Sequence, residues 1–311
     1  MDKCYNTVLE CLGHTPMVKL TRIVPDDCGS VLVKLENLNL GGSIKSRTAY
    51  GMITAAEKAG KLGPNSIIVE PTSGNQGIGL AMIGAMKGYK VRIIMPECMS
   101  EERKKLIQIY GAEIVLTPVG KDVTETFSIC INTALKMAEE DPNVFVPQQF
   151  ENPNNPEIHR ITTAQEVLEQ VDGEIDAFVA AFGTGGTITG IGEVLKERFP
   201  KIKIYIVEPQ NAAVLSGCKV TSHVQQGIGD GLIPQVLNKS IYDEIITVSD
   251  EDALNTARLL AQKEGLLVGV SSGTNVWAAI EVAKKMKKGQ KVVTILPDTG
   301  ERYFSTELFP F

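Results

Sequence analysis

Short apolar runs recur along this chain, and most of them lead into a stretch of helical character. The runs fall at residues 31–35 (VLVKL), 66–70 (SIIVE), 91–95 (VRIIM), 112–116, 144–146, 176–182, 203–207 and 291–296. Helical segments are expected over 47–60, 78–87, 101–110, 125–140, 157–170, 187–198, 250–264 and 273–287. Runs this short, bounded by turn residues, suit buried strands. Their alternation with helices predicts right-handed β-α units on parallel sheets, an α/β protein. The turn cluster NPNNP, residues 152–156, marks the best boundary, so two doubly wound units with a cleft between them are expected. A length of 311 residues with 43 % hydrophobic content is enough for two such cores.

Charge and cysteine usage narrow the function classes. The net charge is −6, from 31 basic and 37 acidic residues spread along the chain, which speaks against a nucleic-acid partner or an acidic membrane surface. The six cysteines show no CxxC pair or His-rich spacing, so reduced thiols are expected and no metal site is. The first residues lack a basic-then-apolar signal and no apolar run approaches about 20 residues, so a cytoplasmic location is expected.

Four loops carry chemistry. In LENLNLGGSIKSRTAY, residues 35–50, Gly41 and Gly42 permit a tight turn ahead of Lys45, and a helix follows. Most lysines at helix starts are solvated side chains; a desolvated one becomes a neutral amine able to form a Schiff base. After the strand-like AFVAAF comes GTGGTITG, Gly183 to Gly190, a glycine-rich turn into a helix where N–H groups converge on an anion such as phosphate. It is no P-loop, for it lacks the lysine. Ile188 breaks the dinucleotide fingerprint, although Glu208 imitates that fold's ribose-binding acid and keeps an NAD enzyme as a minor reading. Thr72-Ser73-Gly74-Asn75 suits a carboxylate, with the Asn75 amide able to donate to a phenolic oxygen; alone it is more often an ordinary capped turn. In Gly269-Val270-Ser271-Ser272-Gly273, the Ser271 hydroxyl can meet a ring nitrogen or cap a helix. A hydroxyl partner leaves a pyridine nitrogen largely unprotonated, which favours β-elimination over transamination.

Together, Lys45 in GGSIKSR, TSGN at 72–75, GTGGT at 183–187, Gln148-Gln149-Phe150 before NPNNPEIH, QGIG at 226–229 and Ser271 in VSSG stand in the order found in one family. The chain resembles the cysteine synthase (O-acetylserine sulfhydrylase) group of fold type II pyridoxal phosphate enzymes, related in fold to the tryptophan synthase β subunit. The likeness runs from Asn6-Thr7, through Gly13-His14-Thr15-Pro16, to the PDTGERY segment at 297–303. It implies a larger cofactor-binding domain (1–36 and 149–311) and a smaller mobile domain (37–148), the active site lying between them. It implies pyridoxal 5′-phosphate as cofactor, with Lys45 as Schiff-base lysine and α-proton shuttle and Asn75 beside the cofactor's 3′-oxygen. Gly183, Thr184, Gly185, Gly186 and Thr187 would surround the phosphate, and Ser271 would meet the pyridine nitrogen. Thr72, Ser73 and Gln148 would hold the substrate carboxylate, Ser73 also serving catalysis, with Gln76 and Gly229 lining the substrate site. A homodimer is implied; serine acetyltransferase as a partner is left undecided.

The chain departs from the family pattern at Leu40, Ser46 and Gln76, where proline, aspartate and threonine are usual. A fourth departure is Asp230, after GIG, where a small uncharged residue is usual. A carboxylate there should repel bisulfide and could activate water. The expectation is therefore conversion of L-cysteine and water to L-serine and hydrogen sulfide: Lys45 removes the α-proton, sulfide leaves, and water activated by Asp230 adds. This resembles the cysteine hydroxyl-lyases of sulfide-producing bacteria. Alternatives are cysteine synthesis from O-acetylserine and sulfide, lanthionine or cystathionine formation with a thiol, or, from other classes, an NAD-binding oxidoreductase or an inactive binding protein. Asp230 could also merely cap a glycine-rich turn. His14, His159 and His223 are expected to be structural.

Overall fold

The computed structural model describes residues 4–72, 74–121 and 123–309. The strands are β1 (Met17–Lys19), β2 (Ser30–Lys34), β3 (Ile67–Pro71), β4 (Lys90–Pro96), β5 (Glu113–Thr117), β6 (Val144–Phe145), β7 (Ala177–Ala181), β8 (Lys203–Pro209), β9 (Glu244–Val248) and β10 (Lys291–Ile295). The helices are α1 (Lys45–Lys58), α2 (Asn75–Lys87), α3 (Glu101–Ile109), α4 (Val123–Glu140), α5 (Asn154–Ile158), α6 (Ala164–Gln170), α7 (Gly186–Arg198), α8 (Asp250–Leu259) and α9 (Val270–Lys284). Two sheets result. One has the order β1-β2-β10-β7-β8-β9, parallel except for β1; the other, β5-β4-β3-β6, is parallel throughout.

Both sheets are covered on two faces, which explains why their strands read as continuous apolar runs. In β7, Ala177 and Val179 point to one side, packing with Val276 and Ala279 of α9, while Phe178 and Ala180 point to the other, with Ile188 and Ile191 of α7. The second sheet repeats the arrangement: Ile68, Ile93 and Met95 face α1 and α2, whereas Val69 and Ile94 face Cys130 and Ala134 of α4. Each fully buried Val or Ile contributes about 1.5–3 kcal/mol. Because the central strands run parallel, β3, β7 and β10 deliver their carboxyl ends, and the loops after them, to one side.

Three local departures from the sequence reading have physical causes. Strands β1 and β9 were not anticipated: both are edge strands with largely exposed residues, so neither shows a buried apolar run. The NPNNP cluster is not all turn. Helix α5 starts within it at Asn154, whose N–H is capped by the Asn152 side chain at 3.0 Å, and Pro156 sits in the first turn, where a missing N–H costs nothing. The chain then passes through a π-helical turn, His159–Thr163, directly into α6.

Candidate active site

Lys45 is the first residue of α1, and its side chain lines a cleft between the two sheets' carboxyl ends. Gly41 and Gly42 take φ of +66° and +68°, the left-handed region, which lets the chain reverse just before it. Two of the atypical residues here touch: the Ser46 hydroxyl donates to the Leu40 carbonyl, closing the turn. Burial lowers the Lys45 pKa, and the carboxylates of Asp230 and Asp298 partly oppose that shift. The amine is thus drawn toward its neutral, nucleophilic form.

The glycine loop lines the same cleft, Gly183, Thr184, Gly185 and Thr187 among its walls. Gly185 N-caps α7 at φ +80°, so the helix's first N–H groups open toward the loop. Side chains are excluded: a Cβ at Gly183 would come 2.4 Å from the Gly227 carbonyl, and one at Gly186 1.9 Å from Asn155 Oδ1. Asn155 donates to Thr184 Oγ1 at 2.9 Å and to the Gln149 carbonyl at 2.8 Å. Since Thr184 Oγ1 accepts that bond, its own proton is available to an anion. Opposite, Ser271 is 5 % exposed at the second position of α9; Gly269 is the N-cap, so the hydroxyl is not spent on capping. A lysine amine, a glycine-rich anion cradle and a neutral hydroxyl in one cleft fit the three ends of pyridoxal phosphate.

The loop after β3 supplies another wall. Thr72, Gly74, Asn75 and Gln76 line the cleft; Ser73 lies outside the described residues. Gln76 is 1 % exposed, and among the described residues neither its amide nitrogen nor its amide oxygen has a hydrogen-bond partner, a strong demand for a polar guest. Asn75 is more committed than the sequence suggested: it donates to Asp298 Oδ2 at 2.6 Å and accepts from Arg302. The expectation for Gln148 shifts by one residue. Gln148 takes φ +58° and exposes its side chain to a separate depression, while buried Gln149 lines the cleft. Both N–H groups bond Glu70 at 3.0 Å, and this tight turn sends the two side chains to different sides.

Asp230 faces the cleft within a run of left-handed glycines, Gly227, Gly229 and Gly231. Among the described residues no group hydrogen-bonds its carboxylate, so it does not cap the turn. Burial raises its pKa, against Lys45 and His223, which lower it. Gly229 lines an adjoining chamber instead, and a Cβ on it would collide with His223 and Pro209. Gln149, Asn275 and Arg103 are among the cleft-lining residues without a forecast role; Asn275 ties β7 to β10 through Ala181 N–H and the Ile295 carbonyl. Asp298 and Arg302, which hold Asn75, stood in the PDTGERY segment with no role attached.

The histidines serve neighbours. His159 is buried, its pKa well below the usual value through burial and the nearby Arg47 and Lys45 cations, and it contacts Thr163, Thr48 and Thr187. His223 Nδ1 accepts from Gln225 N–H, which leaves Nε2 to donate to the Gly229 carbonyl at 3.1 Å. Glu208 is fully buried and taken up by Leu215 N–H, Ser216 N–H and the Ser216 hydroxyl, so it is not free to meet a ribose.

Comparison with known proteins agrees with this geometry. Residues 8–298 match the family described as pyridoxal-phosphate dependent enzyme. The chain is 50 % identical over 311 residues to a cysteine synthase of Staphylococcus aureus (strain Mu50 / ATCC 700699), covering 100 % of this chain and 99 % of that protein. It is 49 % identical over 314 residues to a probable cysteine synthase of Bacillus subtilis (strain 168), covering 100 % of both. Among solved structures, a hydrogen sulfide-producing enzyme from Fusobacterium nucleatum superposes with a TM-score of 0.91 at 40 % identity, over 96 % of this chain and 100 % of that one. With its lysine, anion cradle and hydroxyl gathered in one cleft and this likeness spanning its length, the chain belongs to the pyridoxal-phosphate dependent enzymes, in the cysteine synthase group.

Proposed function

We propose that this enzyme carries out β-replacement on a three-carbon amino acid, making L-cysteine and acetate from O-acetylserine and sulfide. The observation that carries this reading is the shared cleft of Lys45, the 183–187 cradle and Ser271; the cysteine synthase relatives support the direction. When bound, pyridoxal phosphate supplies an electron sink for negative charge at the substrate's α-carbon. Gly183 to Thr187 would grip its phosphate through N–H groups and hydroxyls, and Ser271 would meet its ring nitrogen. Thr72, Ser73, Gln76 and Gln149 would hold the substrate carboxylate, Gln76 finding there the partner its amide lacks. Lys45, kept toward neutrality by burial, would take the α-proton and return it. Phe127 and Phe150, edge to face at 5.1 Å, line the cleft and give it an apolar wall.

A second reading rests on Asp230. Its carboxylate, without a hydrogen-bond partner among the described residues and with a pKa raised by burial, suits a base that takes a proton from water as hydroxide adds to the β-carbon and sulfide leaves, converting L-cysteine to L-serine. One preparation assayed in both directions separates the two. Cysteine formation from O-acetylserine and sulfide faster than serine formation from cysteine supports the synthase; the reverse order, abolished in Asp230→Asn, supports the hydroxyl-lyase. Absence of both activities in cofactor-loaded enzyme overturns the β-replacement reading.

A further inference from the structure

One positive charge on the wall of the cleft has no partner of opposite sign. Arg103, on α3, is 3 % exposed, and among the described residues no carboxylate forms an ion pair with it. A guanidinium stays charged across the working pH range, and burying one without a counter-ion is costly unless an anion comes to it.

Its contacts fix where that charge is held. Nη1 donates to Gln226 Oε1, the guanidinium lies over the Tyr303 ring at 5.1 Å from its centre, and Nε has no hydrogen-bond partner among the described residues. Gln226 follows β8 and Tyr303 follows β10, so loops of the larger sheet hold the guanidinium from one side. On the other side its Nε edge lies against the turn after β3: a Cβ built on Gly74 would come 2.9 Å from Nε, so glycine is what lets the charge approach this backbone. The same construction at Gly183, Gly185 and Gly186 meets Gly227, Leu237 and Asn155 first, which places Arg103 behind the β3 turn and not behind the phosphate cradle.

The residues offered to the substrate's α-carboxylate, Thr72, Ser73, Gln76 and Gln149, are all neutral, so they supply hydrogen bonds and no opposite charge. Among the described residues lining the cleft the cations are Lys45 and Arg103, and burial draws Lys45 toward its neutral form. We propose that Arg103 is the fixed counter-charge for the substrate's α-carboxylate, acting through the turn at Gly74, and that it sets the enzyme's preference for free amino acids over their amides. The inference rests on the β-replacement reading and its carboxylate pocket. Arg103 is thus a positioning residue: Gln226 and Tyr303 hold its charge in place before the substrate arrives, so no reorganisation is needed when the carboxylate enters.

The test uses cofactor-loaded enzyme and two ligands with no β-leaving group, L-alanine and L-alaninamide, each titrated against the cofactor's visible band. The ratio of their Kd values, compared between wild type and variant, reads the carboxylate alone, because every other difference between the ligands cancels. Arg103→Gln should weaken L-alanine by about tenfold or more, the worth of one unit charge several ångströms away in a partly buried site, and leave L-alaninamide nearly unchanged. Arg103→Lys, which keeps the charge, should keep most of the preference. Gln226→Glu leaves the arginine in place and gives it an internal counter-ion, so it should lower the ratio as well; it decides the question should Arg103→Gln fail to fold. An unchanged ratio, an equal weakening of both ligands, or a loss in Arg103→Lys as large as in Arg103→Gln overturns the counter-charge. Turnover of O-acetylserine with sulfide in the wild type then leaves the proposed function standing, and its absence overturns that function whatever the ratio. A wild-type band that answers neither ligand overturns the carboxylate pocket and this inference with it.

Discussion

Asn75 donates to Asp298 across 2.6 Å while its amide oxygen accepts from Arg302, so one carboxamide is fixed in both directions by residues more than two hundred positions away. Asp298 Oδ2 also accepts from the Tyr303 hydroxyl at 2.7 Å. Asp298→Ala removes the anchor for Asn75 and one of the two carboxylates that counter the lowering of the Lys45 pKa. Tyr303→Phe removes one bond to Asp298 and leaves Asn75 held. Turnover should fall at least tenfold further in Asp298→Ala than in Tyr303→Phe, by steady-state assay; equal losses would mean that the grip on Asn75 is dispensable.

The turn that turns Gln149 inward depends on a titrating group. Burial pushes the Glu70 carboxyl up to about 7 from 4.5, against the N–H bonds of Gln149 and Gln148 that favour its charged form. A raised carboxyl pKa means that the folded state holds the proton more tightly than the unfolded chain. Stability from this group is therefore full below 4.5 and lost as pH rises through about 7, a change of about 3 kcal/mol. Denaturant titrations between about pH 4 and pH 8 should show this fall in the wild type and a flatter profile in Glu70→Gln.

Gln149 and Gln148 offer a test on adjacent residues. Gln149→Ala should raise KM for the amino-acid substrate by about tenfold or more, the loss of a hydrogen bond to a charged group. Gln148→Gly should leave KM unchanged, since its side chain points away and glycine adopts φ +58° without strain.

A buried ion network supports the lysine helix. Arg47, on α1 two residues after Lys45, pairs with Glu36 at 2.8 Å and Glu166 at 2.6 Å, and Lys34 pairs with Glu166 at 2.7 Å. Burial opposes ionisation of Glu166, but the bonds from Arg47 and Lys34 outweigh it and bring its pKa to about 2. This depressed value gives stability that is present above 4.5 and lost as pH falls toward 2. Glu166→Ala leaves two buried cations short of a partner and should cost about 3–5 kcal/mol in urea unfolding at neutral pH.

The sequence made the parallel sheets legible because their strands are covered on both faces and so read as apolar runs, and it made the cradle legible because only glycine tolerates backbone and Asn155 atoms so close. Strands β1 and β9 carry no such signal, being exposed at the sheet edges. Gln148 and Gln149 are chemically identical, and what separates them is a left-handed φ imposed by Glu70, seventy-eight residues earlier. Arg103 reads as one charge in a charged helix until the fold brings Gln226 and Tyr303 against it.

Ser271 sets the last expectation. Its hydroxyl, freed from helix capping by Gly269, is neutral and would leave a pyridine nitrogen largely unprotonated. A carboxylate in its place would hold a proton on that nitrogen, strengthen the ring's pull on electrons and stabilise charge away from the α-carbon. Ser271→Asp should therefore divert a larger share of turnovers into transamination, which leaves the cofactor in its amine form. Visible absorption lost per product formed measures that share. The wild type should keep its band through many turnovers, the variant should bleach progressively, and an unchanged band in a variant that still turns over would show that Ser271 does not govern the ring nitrogen.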